Sequence, residues 1–102
     1  MRNEYIELSN RLCAVENEVY DILASVQAYI TFIQISSESI NKDEKFILDM
    51  QNQQAVLLKL INKLNDIAMK AMAINESHVV YRCEDIKIKV RNTMETIRNL
   101  YM

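Results

Sequence analysis

The apolar residues in the first third of the chain recur at alternating spacings of three and four. This spacing places one apolar stripe along an α-helix, at positions a and d of a heptad lettered a to g. The members of the stripe are Tyr5, Leu8, Leu12, Val15, Val19, Ile22, Val26, Tyr29 and Ile33. The pattern predicts a helix over about residues 3–35 that packs against other helices, with left-handed supercoiling.

A first break follows and predicts a turn. The serine-rich residues 36–39 compete with a helix, because serine side chains bond to nearby backbone groups. The heptads resume three residues out of phase, which one continuous helix could absorb, but the serines favour a true turn. Asn41 followed by Glu44 is typical of a helix N-terminus, so a second helix is predicted over about residues 42–74. Its stripe consists of Phe46, Met50, Gln53, Leu57, Leu60, Leu64, Ile67, Ala71 and Ile74.

A second break lies at residues 75–78 and predicts another turn. Asn75 is suited to the left-handed conformation that glycine usually adopts after a helix, and Ser77 is suited to capping the next helix. A third helix is predicted over about residues 78–101. Residues 86–90 also alternate with the period of a strand, but they lie inside a heptad match that favours helix. That match consists of Val79, Cys83, Ile86, Val90, Thr93, Ile97 and Leu100.

The chain of 102 residues contains no glycine and no proline. It therefore lacks the residues that make tight turns and break helices. Short connections between long helices favour antiparallel neighbours. We predict a single all-α domain over residues 1–102, an antiparallel three-helix bundle or helical coiled coil that associates into a larger helical oligomer, with a dimer favoured.

The association follows from apolar residues that a lone three-helix bundle does not need. Such a bundle uses three or four positions of each heptad, whereas all three helices here carry more. A second contiguous apolar stripe marks an interface, although scattered apolar surface residues are ordinary. The extra residues of the second helix include Leu58, Met69 and Met72. The candidate partner-binding residues are Leu23, Ile30, Phe32, Tyr81, Ile88 and Tyr101.

Residues that carry catalytic or metal chemistry are few. His78 is the single histidine, and it lies beside Ser77 at a predicted helix boundary. Cys13 and Cys83 lie far from each other in the sequence, whereas metal sites need several ligands at short spacing. One disulfide between them is possible, but free thiols in a reducing cytoplasm are favoured. Without glycine there is no phosphate loop, dinucleotide fingerprint or nucleophile elbow. The sequence therefore predicts no enzyme activity, no catalytic residue, no cofactor and no metal.

The charge and hydropathy patterns argue against nucleic-acid and membrane partners. The formal net charge is −2, whereas nucleic-acid binding relies on a basic surface. The most apolar run, residues 22–35, is too short and too polar to span a bilayer. Its polar neighbours are acidic, whereas anionic lipid favours lysine and arginine. The first residues enter the amphipathic pattern directly, without a secretory signal, so we expect a cytoplasmic protein.

These observations favour a non-enzymatic protein–protein interaction module that binds a partner helix or amphipathic segment. This class of adaptor-like and chaperone-like proteins includes assembly factors, secretion-type chaperones and small phage or viral accessory proteins that inhibit or regulate. The alternative is a structural coiled-coil component of a larger assembly. The residues do not choose among these functions.

Overall fold

The computed structural model describes residues 2–35 and 44–101, with the side chains of residues 3–32 and 44–100. Over these ranges the chain forms three helices and no strand: α1 (Arg2–Ile35), α2 (Glu44–Ala73) and α3 (Ser77–Tyr101). The predicted all-α class is confirmed, and residues 86–90 are helical. The predicted cap at Asn41 lies outside the described residues.

The described members of the three heptad stripes pack against one another, most of them buried. They form one continuous core along a rod with extents of 56 × 18 × 17 Å. The one buried threonine, Thr93 at position d, donates its hydroxyl to the carbonyl of Lys89 at 2.8 Å, so the core holds no unpaired hydroxyl there. Burying one large aliphatic side chain contributes roughly 1.5–3 kcal/mol, which makes this core the main source of stability. Its largest fully buried side chains are Leu12, Met50, Leu57, Leu60, Leu64, Ile67 and Ile97.

Side-chain contacts show that α1 and α2 run antiparallel. Near the start of α1, the guanidinium of Arg11 lies 2.9 Å from the carboxylate of Asp66 in the second half of α2. Near the end of α1, the hydroxyl of Tyr29 donates to the carboxylate of Asp49 at 3.1 Å. Residue numbers therefore rise along α1 while they fall along α2, and the two helices pack as a hairpin within one chain.

The same reasoning shows that α2 and α3 run antiparallel. Gln54 donates its side-chain amide to the carbonyl of Met94 at 2.7 Å. Closer to the turn, the ammonium of Lys87 donates to the side-chain carbonyl of Asn65 at 2.8 Å. Both contacts are made by α2 residues at heptad positions b and e, so this side of α2 packs against α3.

Two further contacts show that α1 and α3 run parallel. The hydroxyl of Tyr5 lies 3.0 Å from Nε2 of His78 at the start of both helices. Further along, the ammonium of Lys89 donates to the hydroxyl of Tyr20 at 2.9 Å. The three helices therefore follow an up-down-up course.

The turn between α2 and α3 explains how the chain reverses without glycine. Asn75 has a φ of 60°, and its N–H donates to the carbonyl of Met72 at 3.1 Å. The N–H of Glu76 reaches back to the carbonyl of Ala71 at 2.9 Å. This pair of bonds is a Schellman motif, which satisfies the last carbonyls of α2. The left-handed cap predicted at Asn75 is confirmed.

The predicted cap of the third helix is wrong by one residue. Ser77 is the first residue of α3, and the carbonyl of Glu76 accepts the N–H groups of Val79 and Val80 at 3.1 and 3.4 Å. Glu76 therefore holds the cap position. The Schellman turn ends at Glu76, and α3 begins with the next residue. Ser77 is therefore already part of the helix and does not precede it as a cap.

We expect Leu64→Asp to unfold the protein. Leu64 is fully buried, and an unpaired carboxylate in its place costs several kcal/mol, a large share of the stability of a small domain. Circular dichroism should show no cooperative thermal transition. The control is Asn52→Asp, which adds the same charge at an exposed position of α2 and should melt as the wild type does. A cooperative wild-type-like melt of Leu64→Asp would contradict this packing.

The two thiols should react at very different rates. Cys13 is exposed, whereas Cys83 is buried in the core and its burial raises the pKa of the thiol. Because the thiolate is the reactive form, an aromatic disulfide reagent should titrate one thiol rapidly and the second only as the protein unfolds. Cys13→Ser should remove the fast phase and Cys83→Ser should keep it. Equal rates for both thiols would contradict the burial of Cys83.

Candidate interaction surface

The surface with the largest exposed apolar side chains lies on α2 and α3. It is formed by positions b and f of α2 and position f of α3, and we call it the α2–α3 face. Relative exposure of its large apolar members runs from 53% to 70%, so more than half of each is open to solvent. These members are Leu48, Leu58, Met69, Met72, Tyr81 and Ile88.

The turn brings the two helices of this face together at one end. Because α2 and α3 are antiparallel, Tyr81 near the start of α3 lies beside Met72 near the end of α2. The two side chains line one groove with half-buried Val80. This groove has a volume of about 280 Å³ and is completed by the turn residues. It is a shallow apolar recess that an inserted side chain would fill.

In the middle of the face, Lys87 ties α3 to α2. It is only 8% exposed, and its ammonium lies 2.8 Å from the carboxylate of Glu84 and 2.8 Å from the side-chain carbonyl of Asn65. Burying an ammonium without such partners would cost several kcal/mol of folding free energy, so these two contacts are needed for α3 to pack against α2 at Lys87. Ile88, the next residue, is left exposed beside this anchored pair.

The end of the face away from the turn is basic. Arg91 and Arg98 line a groove with Gln54, Met94 and Glu95. Neither arginine forms an ion pair with another of the described residues. The side-chain carbonyl of Gln54 is buried there and has no hydrogen-bond partner within the described ranges. The two guanidinium groups and the Gln54 carbonyl can therefore form further hydrogen bonds with a bound molecule.

Position in the heptad separates charged from uncharged residues on α2. From Leu48 to Met72, all eight b and f positions are uncharged and exposed, and they hold Leu48, Gln51, Ala55, Leu58, Asn62, Asn65, Met69 and Met72. The charged residues of the same stretch occupy only positions c and g, and they are Asp49, Lys59, Lys63, Asp66 and Lys70. Depletion of charge is the compositional mark of an interface core. The charged flank instead lies toward α1, where Lys70 and Arg11 line a shared groove.

Two of the six candidate contact residues lie on the α2–α3 face: Tyr81 and Ile88, which are 70% and 53% exposed. Leu23 and Ile30 are half-buried on α1, and Ile30 packs against the core. Neither lines a groove of the α2–α3 face.

The other two candidates lie elsewhere. Phe32 is 48% exposed and lines a separate groove on α1 with Ser25, Ala28 and Tyr29. Tyr101 ends α3, and its side chain lies outside the described ones.

Four apolar members of the face were not among the candidate contacts, and they are Leu48, Leu58, Met69 and Met72. Their apolar character was visible in the sequence, but large apolar residues at b and f also occur singly on ordinary surfaces. The signal that sets them apart is the missing charge at b and f of α2, next to charged c and g positions. That contrast can be read from the heptad register alone.

The single histidine, His78, lies in a small polar cluster with Glu76 and Tyr5. Nδ1 of His78 lies 3.5 Å from the carboxylate of Glu76, and its ring stacks at a tilt on Tyr5, with centroids 5.3 Å apart. This exposed cluster joins the starts of α1 and α3. Within residues 2–35 and 44–101, no group of three His, Cys, Asp or Glu side chains is placed to hold a metal ion. No helix over the same ranges is long and apolar enough to cross a membrane.

Comparison with known proteins adds no family to this geometry. No protein-family model matches the chain, and no curated protein or solved structure is similar to it.

Proposed function

We propose that the protein is a non-enzymatic interaction module that binds an amphipathic helical segment of a protein on its α2–α3 face. The observation that carries the proposal is the combination of six exposed large apolar side chains with an α2 flank that is uncharged from Leu48 to Met72. The one-chain core is complete without them. Covering the b and f positions of α2 removes apolar area from water without stranding charges, because these positions carry none from Leu48 to Met72.

The spacing of the exposed residues suits a helix as the ligand. Tyr81 and Ile88 are one heptad apart, which is roughly 10 Å along α3 at 1.5 Å per residue. An amphipathic helix presents its anchors at the same interval, at i, i+3 or i+4, and i+7. Tyr81 offers a large rigid contact with a polar tip, which is typical of residues that dominate binding energy. Met69 and Met72 are flexible and adapt their shape to the bound surface.

The charges at the two ends of the face give the ligand a direction. Glu76 and Glu84 lie toward the turn, whereas Arg91 and Arg98 lie toward the other end. Charged groups at the rim of an interface contribute more to orientation and association rate than to affinity. A bound helix with a basic and an acidic end would therefore settle in one orientation.

The thiols bear on the compartment of this module. Cys13 and Cys83 are both free, with Cys13 exposed and Cys83 buried. An exposed free thiol is typical of a reducing environment. We therefore place the interaction in a cytoplasm, where adaptor-like and chaperone-like roles for a small bundle are the ones that the face supports.

A structural coiled-coil component of a larger assembly is the second candidate. Exposed apolar residues on α1 favour it, because Ile6, Tyr20 and Phe32 would offer a second contact surface. Such a component should form particles that grow with concentration. Light scattering over a roughly hundredfold dilution series separates the two, since a fixed small complex would exclude growth.

We expect Ile88→Asp to leave the fold intact and to break the association. Ile88 is half exposed and outside the core, but a carboxylate at the centre of an apolar interface loses its water without gaining a partner. The affinity for the bound segment should fall about 100-fold or more. The measurements are the thermal melt and the mass of the intact complex isolated from the native source.

The matched control is Ile6→Asp, the same substitution at an isoleucine of α1 with similar exposure, 49% against 53%. It should melt like Ile88→Asp and keep the complex. If Ile88→Asp unfolds an isolated monomer, the surface position of Ile88 is wrong. If it leaves the complex intact, the α2–α3 face is not the binding site.

A further inference from the structure

The charges along α3 are ordered so that the helix complements itself when it runs antiparallel to a second copy. Position b of α3, on the flank toward α2, holds Ser77, Glu84, Arg91 and Arg98 in turn. Ile88, on the exposed face at position f, lies between Glu84 and Arg91 in sequence. The acidic residue of this flank therefore precedes the exposed isoleucine, and the basic residues follow it.

A two-fold axis near Ile88 turns this order into ion pairs. In an isologous contact, residue i of one copy meets residue j of the second, and j of the first meets i of the second. When the two helices are antiparallel, the b flank of one copy also lies beside the b flank of the other. Arg91 then lies opposite the second copy's Glu84, and the reverse contact forms by symmetry. The two Ile88 side chains meet at the axis, and Tyr81 lies level with the second copy's Glu95, which occupies the next f position of α3.

The opposite direction of pairing is disfavoured by the same residues. A parallel pair in register would set Glu84 against Glu84 and Arg91 against Arg91. Like charges at an interface cost several kcal/mol, so they exclude wrong arrangements more strongly than they stabilise the right one. Arg91 is open to a new contact, because it forms no ion pair with another described residue.

The uncharged flank of α2 fits next to this contact. In the antiparallel α2–α3 pair, Asn62 and Asn65 of α2 lie level with the middle of α3, where Asn65 binds Lys87. A second copy that packs on α3 also covers α2 beside it, and no charge on positions b and f would be stranded there. The amide groups near the axis can bond to their own counterparts.

The dimensions of the face match those of a stable dimer. The helix α3 has 25 residues, and the molecule is 18 Å wide. Full contact of two such faces would bury roughly 1,300 Å² in total, within the range of specific protein interfaces.

From this order of charges we propose that the helical segment bound on the α2–α3 face is α3 of a second copy, in an antiparallel two-fold dimer with Arg91 paired to the second copy's Glu84. The inference rests on the proposed function, since it uses the same face and names its occupant.

A charge exchange tests the pairing. Arg91→Glu should set two carboxylates against each other at both symmetric contacts, and Glu84→Arg should do the same with two guanidinium groups. Each variant should raise the dissociation constant about 10-fold or more, and the double variant Arg91→Glu with Glu84→Arg should return to within roughly threefold of the wild type. Sedimentation velocity over a concentration series measures all four proteins.

Two controls separate association from folding. Lys63→Glu makes the same charge change as Arg91→Glu, at an exposed g position of α2 outside the face, and should leave the dimer unchanged. Glu84→Arg also removes the contact of Glu84 with Lys87, so thermal melts accompany every variant. Arg91→Glu breaks no ion pair or hydrogen bond within the described ranges, and its melt should match the wild type at concentrations where both are monomers.

The outcomes distinguish this inference from the proposed function. A wild-type protein that stays monomeric up to roughly 100 μM overturns the dimer. A dimer that the double variant fails to restore overturns the Arg91–Glu84 pairing. If the protein is monomeric but Ile88→Asp still removes a bound protein from the native complex, a foreign segment fills the face and the proposed function stands. If Ile88→Asp changes neither the dimer nor the complex isolated from the native source, both proposals fail.

Discussion

Burial of three heptad stripes against one another is the interaction on which the rest of the molecule depends. The middle helix, α2, contributes Leu57, Leu60 and Leu64, which are fully buried within the core that all three helices share. Surface ion pairs add little by comparison. Arg11 and Lys70 hold the pKa of the Asp66 carboxyl below its usual value, but this carboxyl is exposed and screened by water. The fold is therefore held by apolar contact along its whole length.

The core also decides which residues are left for function. Once positions a and d, and much of e in α2 and α3, are buried, positions b and f must face outward. From Leu48 to Met72 of α2 the charges then occupy c and g, where Asp66 and Asp49 reach residues of α1. The flank toward α3 carries none. The heptad repeat of α2 therefore separates two surfaces: charged residues at c and g lie on one side, and uncharged residues at b and f lie on the other.

The helices and the α2–α3 turn could be predicted from sequence because their causes are local. Heptad spacing predicted each helix, and Asn75 indicated its left-handed cap. The cap of α3 was misplaced at Ser77 because the Schellman bonds, which no spacing displays, make Glu76 the cap.

The surface could be predicted only in part, because exposure depends on neighbouring helices. Tyr81 and Ile88 lie opposite their own stripe, so their exposure followed from one helix alone. Leu23 and Ile30 occupy position e of α1, and whether e is covered depends on how the neighbouring helix sits. The buried contacts of Gln54 and Lys87 join distant segments and are set by tertiary packing.

An uncharged apolar stripe gives affinity but no register, since two such stripes can slide by a heptad and still bury similar area. The b positions of α3 supply what the stripe lacks. In the antiparallel pair, a slip of one heptad in one direction would set Arg91 against the second copy's Arg91. A slip in the other direction would set Glu84 against Glu84. The first slip would also pair Glu84 with the second copy's Arg98, so the like-charge contact at Arg91 and the loss of the contact between the two Ile88 side chains together select the register.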